Sequence, residues 1–187
     1  MNETASLKSQ LLIAMPALDD PNFSKTVTFV CEHGEHGAMG IVLNRPTDLS
    51  LSDVLKHMEI EGGLGKAGEQ IVFLGGPVEE ERGFVLHTHT EPWDSTLAID
   101  DQISITTSRD ILEAMAHGDG PDQTLVALGY AGWGAGQLEQ EMQQNAWLSG
   151  PADQAILFDL PADQRWKAAA RLLGVDVNLL SSDAGHA

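Results

Sequence analysis

Seven histidines, one cysteine and several glycine-rich turns are the places in this 187-residue chain where chemistry could begin. Cys31 closes an apolar alternation in which Val27, Phe29 and Cys31 interleave with Thr28 and Val30. A thiol there is a nucleophile or redox sensor if a neighbouring histidine or backbone dipole lowers its pKa, and an inert packed sulfur if nothing does. His87 and His89 lie two apart, so on a strand they share a face, and His33 and His36 flank a hairpin loop near Cys31. Imidazoles suit zinc, but this spacing matches no zinc module and there is no second cysteine, so no metal is expected.

Asn44-Arg45-Pro46 places a lone guanidinium at a strand end. It could clamp a carboxylate or phosphate through two donors, or close an internal ion pair. Gly63-x-Gly65-x-x-Gly68 spells the dinucleotide fingerprint, but a helix enters that turn and a strand leaves it, the reverse of what the fingerprint needs. Ala67 also stands where a phosphate loop requires Ser or Thr. The turn from Gly129 to Gln137 has the better order, strand in and helix out, so its backbone N–H groups could meet an anion or carbonyl. Its glycines could equally serve a sharp turn beneath which Tyr130 and Trp133 pack. No Ser-His-Asp order, Gly-x-Ser-x-Gly elbow or His-Glu-x-x-His helix is present, so no catalytic residue is assigned and no cofactor is expected.

These residues must be held by strands in the first half of the chain. Residues 9–15, 25–31 and 38–44 are short apolar runs, the last stopped by Pro46. Leu51, Val54, Leu55 and Met58 mark one face of a helix. Strands are expected at Ile71–Leu74, Gly83–His87, Ser95–Ile99 and Gln102–Thr107, the last two joined by a tight turn at Asp100-Asp101. Thr107 or Ser108 caps a helix that buries Ile111, Leu112 and Met115. Gln123–Tyr130 reads as a central strand, followed by a helix near 136–146, a strand at Gln154–Phe158 and a last helix. That helix has Pro161 in its first turn, Trp166, Ala169, Ala170 and Leu173 on one face, and Gly174 at its end. Strands clustered without strict alternation give an α+β class, a mixed or antiparallel sheet flanked by about four helices in one domain over 1–187, with 181–187 a frayed tail.

Composition excludes whole classes of function. Hydrophobic residues make up 42% and charged residues 20%, which is globular, and no apolar run approaches the ~20 residues of a membrane-crossing helix. Ten Lys plus Arg against 28 Asp plus Glu leave a net charge of −18, with the cations dispersed. Polyanions are held by clustered cations, so direct nucleic-acid binding is not expected, nor is binding to an anionic membrane. The stretch Leu11–Leu18 lacks the basic start of a signal peptide, which with the lone cysteine gives a cytoplasmic expectation.

Several segments, in order along nearly the whole chain, resemble the YqgE/AlgH family of bacterial proteins. They are Leu11–Pro16, Asp20–Phe23, Gly37–Pro46, Gly75–Val78, Val85–His87, Thr107-Ser108, Leu128–Glu139, Asn145–Leu148 and Gly185–Ala187. The resemblance implies a cytosolic protein on a branched sheet, part of which closes into a small barrel surrounded by helices. One branch of the family carries a label as a regulator of alginate synthesis, and the acidity here makes any transcriptional role indirect.

The expected function is therefore a non-enzymatic regulator or adaptor acting through a protein or small-molecule partner. Its patch would be formed by Asn44, Arg45, Gly75, Gly76, Pro77, His87, Tyr130, Trp133 and Gln137, family positions at strand ends and turns. The alternatives are an enzyme in which Arg45 holds a small anion while His87 or Cys31 acts on it, and redox sensing through Cys31. A monomer or small homo-oligomer is expected. In an obligate oligomer, an exposed Trp93, Trp133 or Trp147 would be interface.

Overall fold

The computed structural model describes residues 6–16, 18, 20–62, 65–88 and 92–175. The expected tail, together with His89, Gly63 and the Gly185–Ala187 segment, lies outside them.

Among the described residues ten strands share one sheet: β1 (Gln10–Ala14), β2 (Val27–Gly34), β3 (Gly37–Val42), β4 (Pro46–Ser50), β5 (Ile71–Leu74), β6 (Val78–Thr88), β7 (Thr96–Ala98), β8 (Ile103–Thr106), β9 (Thr124–Trp133) and β10 (Trp147–Pro151). The main path runs β10-β1-β2-β3-β9-β6-β8-β7, with β5 also on β9 and β4 on β5. The hub is β9. Its early half pairs in parallel with β5 (Phe73 opposite Ala127), its late half pairs antiparallel with β3 (Ala38 opposite Trp133), and β6 runs antiparallel along its other side. The sheet is thus mixed and branched, as expected, but it curls only into a half-barrel. The closed barrel is not found. Closure needs the terminal strands to pair, and the path ends at β10 and a three-residue β7 that are not hydrogen-bonded to each other.

Among the described residues four α-helices, α1 (Leu51–His57), α2 (Arg109–Ala116), α3 (Gln137–Gln143) and α4 (Ala162–Leu172), join a 3-10 helix at Gly65–Glu69 and a π-helical turn at Ala155–Asp159. Strand alternation sorts their cores. Leu11, Ile13, Phe29, Leu86 and Leu125 face the layer of Trp166, Ala169 and Ala170 from α4. The intervening residues face the other way: Val85 and Val126 meet α1 and α2, while Leu12, Ala14 and Val30 meet Leu138 of α3 with Trp133 and Trp147. Ser50 and Asp53 form a reciprocal capping box on α1. Ser108 occupies the N-cap position of α2, but its hydroxyl donates to Asp110 and accepts the Ser95 N–H instead of capping.

One local expectation fails. Residues 154–158 are not a strand: the Asp153 carboxylate accepts the N–H groups of Ala155 and Ile156 and starts the π-helical turn. The nearby strand is instead β10, which has the distant β1 as its partner (Trp147 opposite Ala14).

Candidate functional site

The polar family motifs turn inward. The carboxamide of Asn44 donates to the Lys25 carbonyl at 2.9 Å and accepts the Val27 N–H at 3.0 Å. The guanidinium of Arg45 donates to the carbonyls of Pro21 and Ser24, each at 3.0 Å. Asn44 and Arg45 therefore staple the 21–27 segment to the end of β3, and the guanidinium donates to carbonyls and closes no ion pair among the described residues. Arg165, 5% exposed, does the same from α4: it donates to Leu43 and Leu160 carbonyls and lies 5.0 Å over the Phe73 ring. Burial pushes its pKa down, partly offset by Asp159.

Gly75, Gly76 and Pro77 carry the chain from β5, on one side of β9, across to β6 on the other. The crossing is so close that a Cβ on Gly75 would lie 2.4 Å from the Gly129 carbonyl oxygen, and one on Gly76 would lie 2.1 Å from the Tyr130 carbonyl carbon. Gly129 itself has φ +78°. These glycines are required by the backbone crossing.

The Gly129–Gln137 turn holds a carboxylate of its own chain. Both indole N–H groups, of Trp133 at 3.1 Å and Trp147 at 2.9 Å, donate to one oxygen of Glu141, and the Gln137 amide donates to the other at 2.9 Å. Gln137 in turn accepts the Gly134 N–H. Phe23 stacks 6.0 Å from Trp133 and meets Trp147 edge-on. Trp133 and Trp147 are buried, so they are not the exposed interface tryptophans considered above, and Trp93 is half-buried.

Neither nucleophile candidate reaches solvent. Cys31 is fully buried, and burial first, then Glu32, pushes its thiol far above the ordinary range against a smaller pull from Lys8. His87 is 1% exposed, with Nε2 2.7 Å from the Thr106 hydroxyl and Nδ1 2.9 Å from the Thr88 carbonyl. A carbonyl must receive a proton, so Nδ1 carries the hydrogen. His33 accepts the Leu7 N–H at Nδ1 and aims Nε2 at Glu139, 3.5 Å away, while His36 stands exposed beside Glu35.

An open trough of about 990 Å³ lies between the β2–β3 hairpin and β6 to β9. Met39, Val78, Phe84, Leu97, Ile105 and Tyr130 give it an apolar lining, with Tyr130 edge-on to Phe84 at 5.7 Å. Its polar residues include Glu32, His33, Glu35, His36, Asp94, Thr96 and Arg82; Arg82 lies 5.2 Å over Phe84 and 3.4 Å from Glu79. Of the nine patch residues only Tyr130 and Trp133 border it; Arg45, His87 and Cys31 do not. The residues that sequence reasoning missed, Met39, Arg82, Phe84 and Leu97, come from three strands, β3, β6 and β7, and share no motif. Leu97, 39% exposed on a short strand, is one of several large apolar side chains that stand exposed among the described residues, with Leu49, Ile71 and Leu172.

The trough lies on an open, branched α+β half-barrel, and of the singled-out histidines His33 and His36 line it while His87 does not. The chain belongs to the AlgH-like family, whose model matches residues 11–178. It is 60% identical to a UPF0301 protein of Thioalkalivibrio sulfidiphilus over the full length of both chains, and 54% identical to one of Nitrosococcus oceani, again over both full lengths. The solution structure of the AlgH protein from Pseudomonas aeruginosa superposes with a TM-score of 0.80 at 48% identity, covering all of both chains. A Corynebacterium diphtheriae protein at 19% identity, with a TM-score of 0.76 over 97% of this chain and 94% of its own, shares the fold.

Proposed function

We propose that the chain is a non-enzymatic cytoplasmic adaptor that takes part of a protein partner into the trough, and that any influence on transcription runs through that partner. One observation carries this reading: the trough pairs an apolar lining with a charged and polar rim, the anatomy of a protein interface. The side chains that an enzyme reading needs, Cys31, His87 and Arg45, are instead packed or bonded elsewhere. A net charge of −18 favours a partner surface with positive charge beside its apolar anchor.

Leu97→Glu places a charge in the trough at an exposed position. Leu172→Glu, at a 51% exposed site on α4 that does not border the trough, is the control. In affinity capture from the native lysate, wild type and the control are expected to retain a protein that Leu97→Glu loses at least roughly tenfold, the cost of burying a charge at an apolar contact. Identical captures by all three proteins, or none by wild type, would reject the trough as the docking site.

A further inference from the structure

The face of the sheet opposite α4 carries a second cavity. Here α1 and α2 stand over β6 and β9 and leave a cleft of about 780 Å³, within the roughly 300–1,000 Å³ range of small-molecule sites. Val85, Val126 and Leu128 form its floor, and Val54 of α1, Met58 at the C-cap of α1 and Leu112 of α2 its walls. Phe84 and Thr107 also border the trough, so the cleft lies beside the proposed docking site and is distinct from it.

The charge at its mouth has one dominant sign. Between the paired positions Val78–Tyr130 and Gly83–Leu128, β6 carries four residues, 79–82, against the single Gly129. This bulge, with Glu79 at φ +48°, sends Glu80 and Glu81 to the cleft and Arg82 to the trough. Asp53 adds a third carboxyl, held below its ordinary range by the Ser50 N–H and hydroxyl, and therefore ionised at neutral pH. Arg109 and His57 are also at the rim, but the guanidinium of Arg109 is engaged: it donates to the Met58 carbonyl at 2.8 Å and lies 3.7 Å from Glu113.

We propose that this cleft binds a small organic cation with an apolar body, an alkyl or aryl amine. The body lies against Val54, Met58, Leu112 and Val126, and the ammonium group meets Glu80 and Glu81. An anionic head on the same body would face three carboxyls across an engaged arginine, and a neutral one would leave them unused.

The test is calorimetric titration of the whole chain with octylammonium, octanol and octanoate at 150 mM salt. Octylammonium should bind one to one and at least tenfold more tightly than octanoate. Glu80→Gln with Glu81→Gln should weaken octylammonium roughly tenfold, towards octanol, as expected for the loss of two partly exposed charge contacts. Glu61→Gln with Glu69→Gln removes the same charge from exposed positions away from the cleft and should change affinity less than twofold. Val54→Trp, at a half-buried site on α1, should fill the cleft and abolish binding of all three probes, with an unchanged circular dichroism spectrum reporting an intact fold. Leu97→Glu should leave the titration untouched, which separates this site from the trough. Equal weakening by both glutamate pairs would mean general attraction to an acidic body. That result, binding that survives Val54→Trp, or no binding at millimolar probe would overturn the proposal.

Discussion

A thiol reacts as thiolate, and the burial of Cys31, reinforced by Glu32, keeps its proton on. The sign of the stability effect follows. The unfolded chain releases that proton near pH 8.5 while the folded protein retains it, so stability is full below about pH 8.5 and is lost as pH rises above it. Between pH 7.5 and 9.5 wild type should lose about 1.4 kcal/mol that Cys31→Ala keeps, read from urea unfolding at each pH. Parallel profiles for the two proteins would contradict the packing described for this sulfur. Arg45 carries the same lesson. Its residue type and strand-end position were legible in the sequence, but its acceptors, the Pro21 and Ser24 carbonyls, lie more than twenty residues away and have no sequence signature.

Among the connecting elements, the link from β5 to β6 is the most constrained. It crosses β9 with no space for a Cβ at Gly76, whereas at Gly134, in the glycine-rich turn, the nearest atom to an added Cβ is the Gln137 side-chain oxygen at 3.9 Å. Gly76→Ala should therefore cost about 3 kcal/mol or more, as strained and overpacked backbone sites do, and Gly134→Ala less than about 1 kcal/mol. Equilibrium denaturation of the two variants compares them directly, and equal losses would refute the crossing as the reason for these glycines. Helices α1, α2 and α4 were readable because each writes its buried face at helical spacing. The strand expected at 154–158 failed because a four-residue apolar run has no period long enough to separate a strand from a helical turn, and the Asp153 carboxylate chose the turn.

Over the whole chain, 28 acidic against ten basic side chains repel one another in the compact state. Raising sodium chloride from 20 to 300 mM should increase the thermal midpoint, by about 3 °C for each kcal/mol of repulsion screened. A midpoint that falls with salt would show that attractive pairs dominate. In a mobility-shift assay at 150 mM salt, duplex DNA should not be retained at micromolar protein, and retention would place an unrecognised basic face on the fold.

Composition and short-range pattern settled the charge, the α+β class and most of the strands and helices, because alternation and helical spacing are written within ten or so residues. The YqgE/AlgH motifs also announced the family. The meaning of those motifs came only with the tertiary fold. Gly75 and Gly76 matter because β9 lies beneath them, Trp133 and Trp147 because they share Glu141, and the trough and cleft exist because β9 gathers β3, β5 and β6 around it. Each of these depends on partners brought together by long-range pairing, and a site assembled in that way leaves no spacing for a linear reading to find.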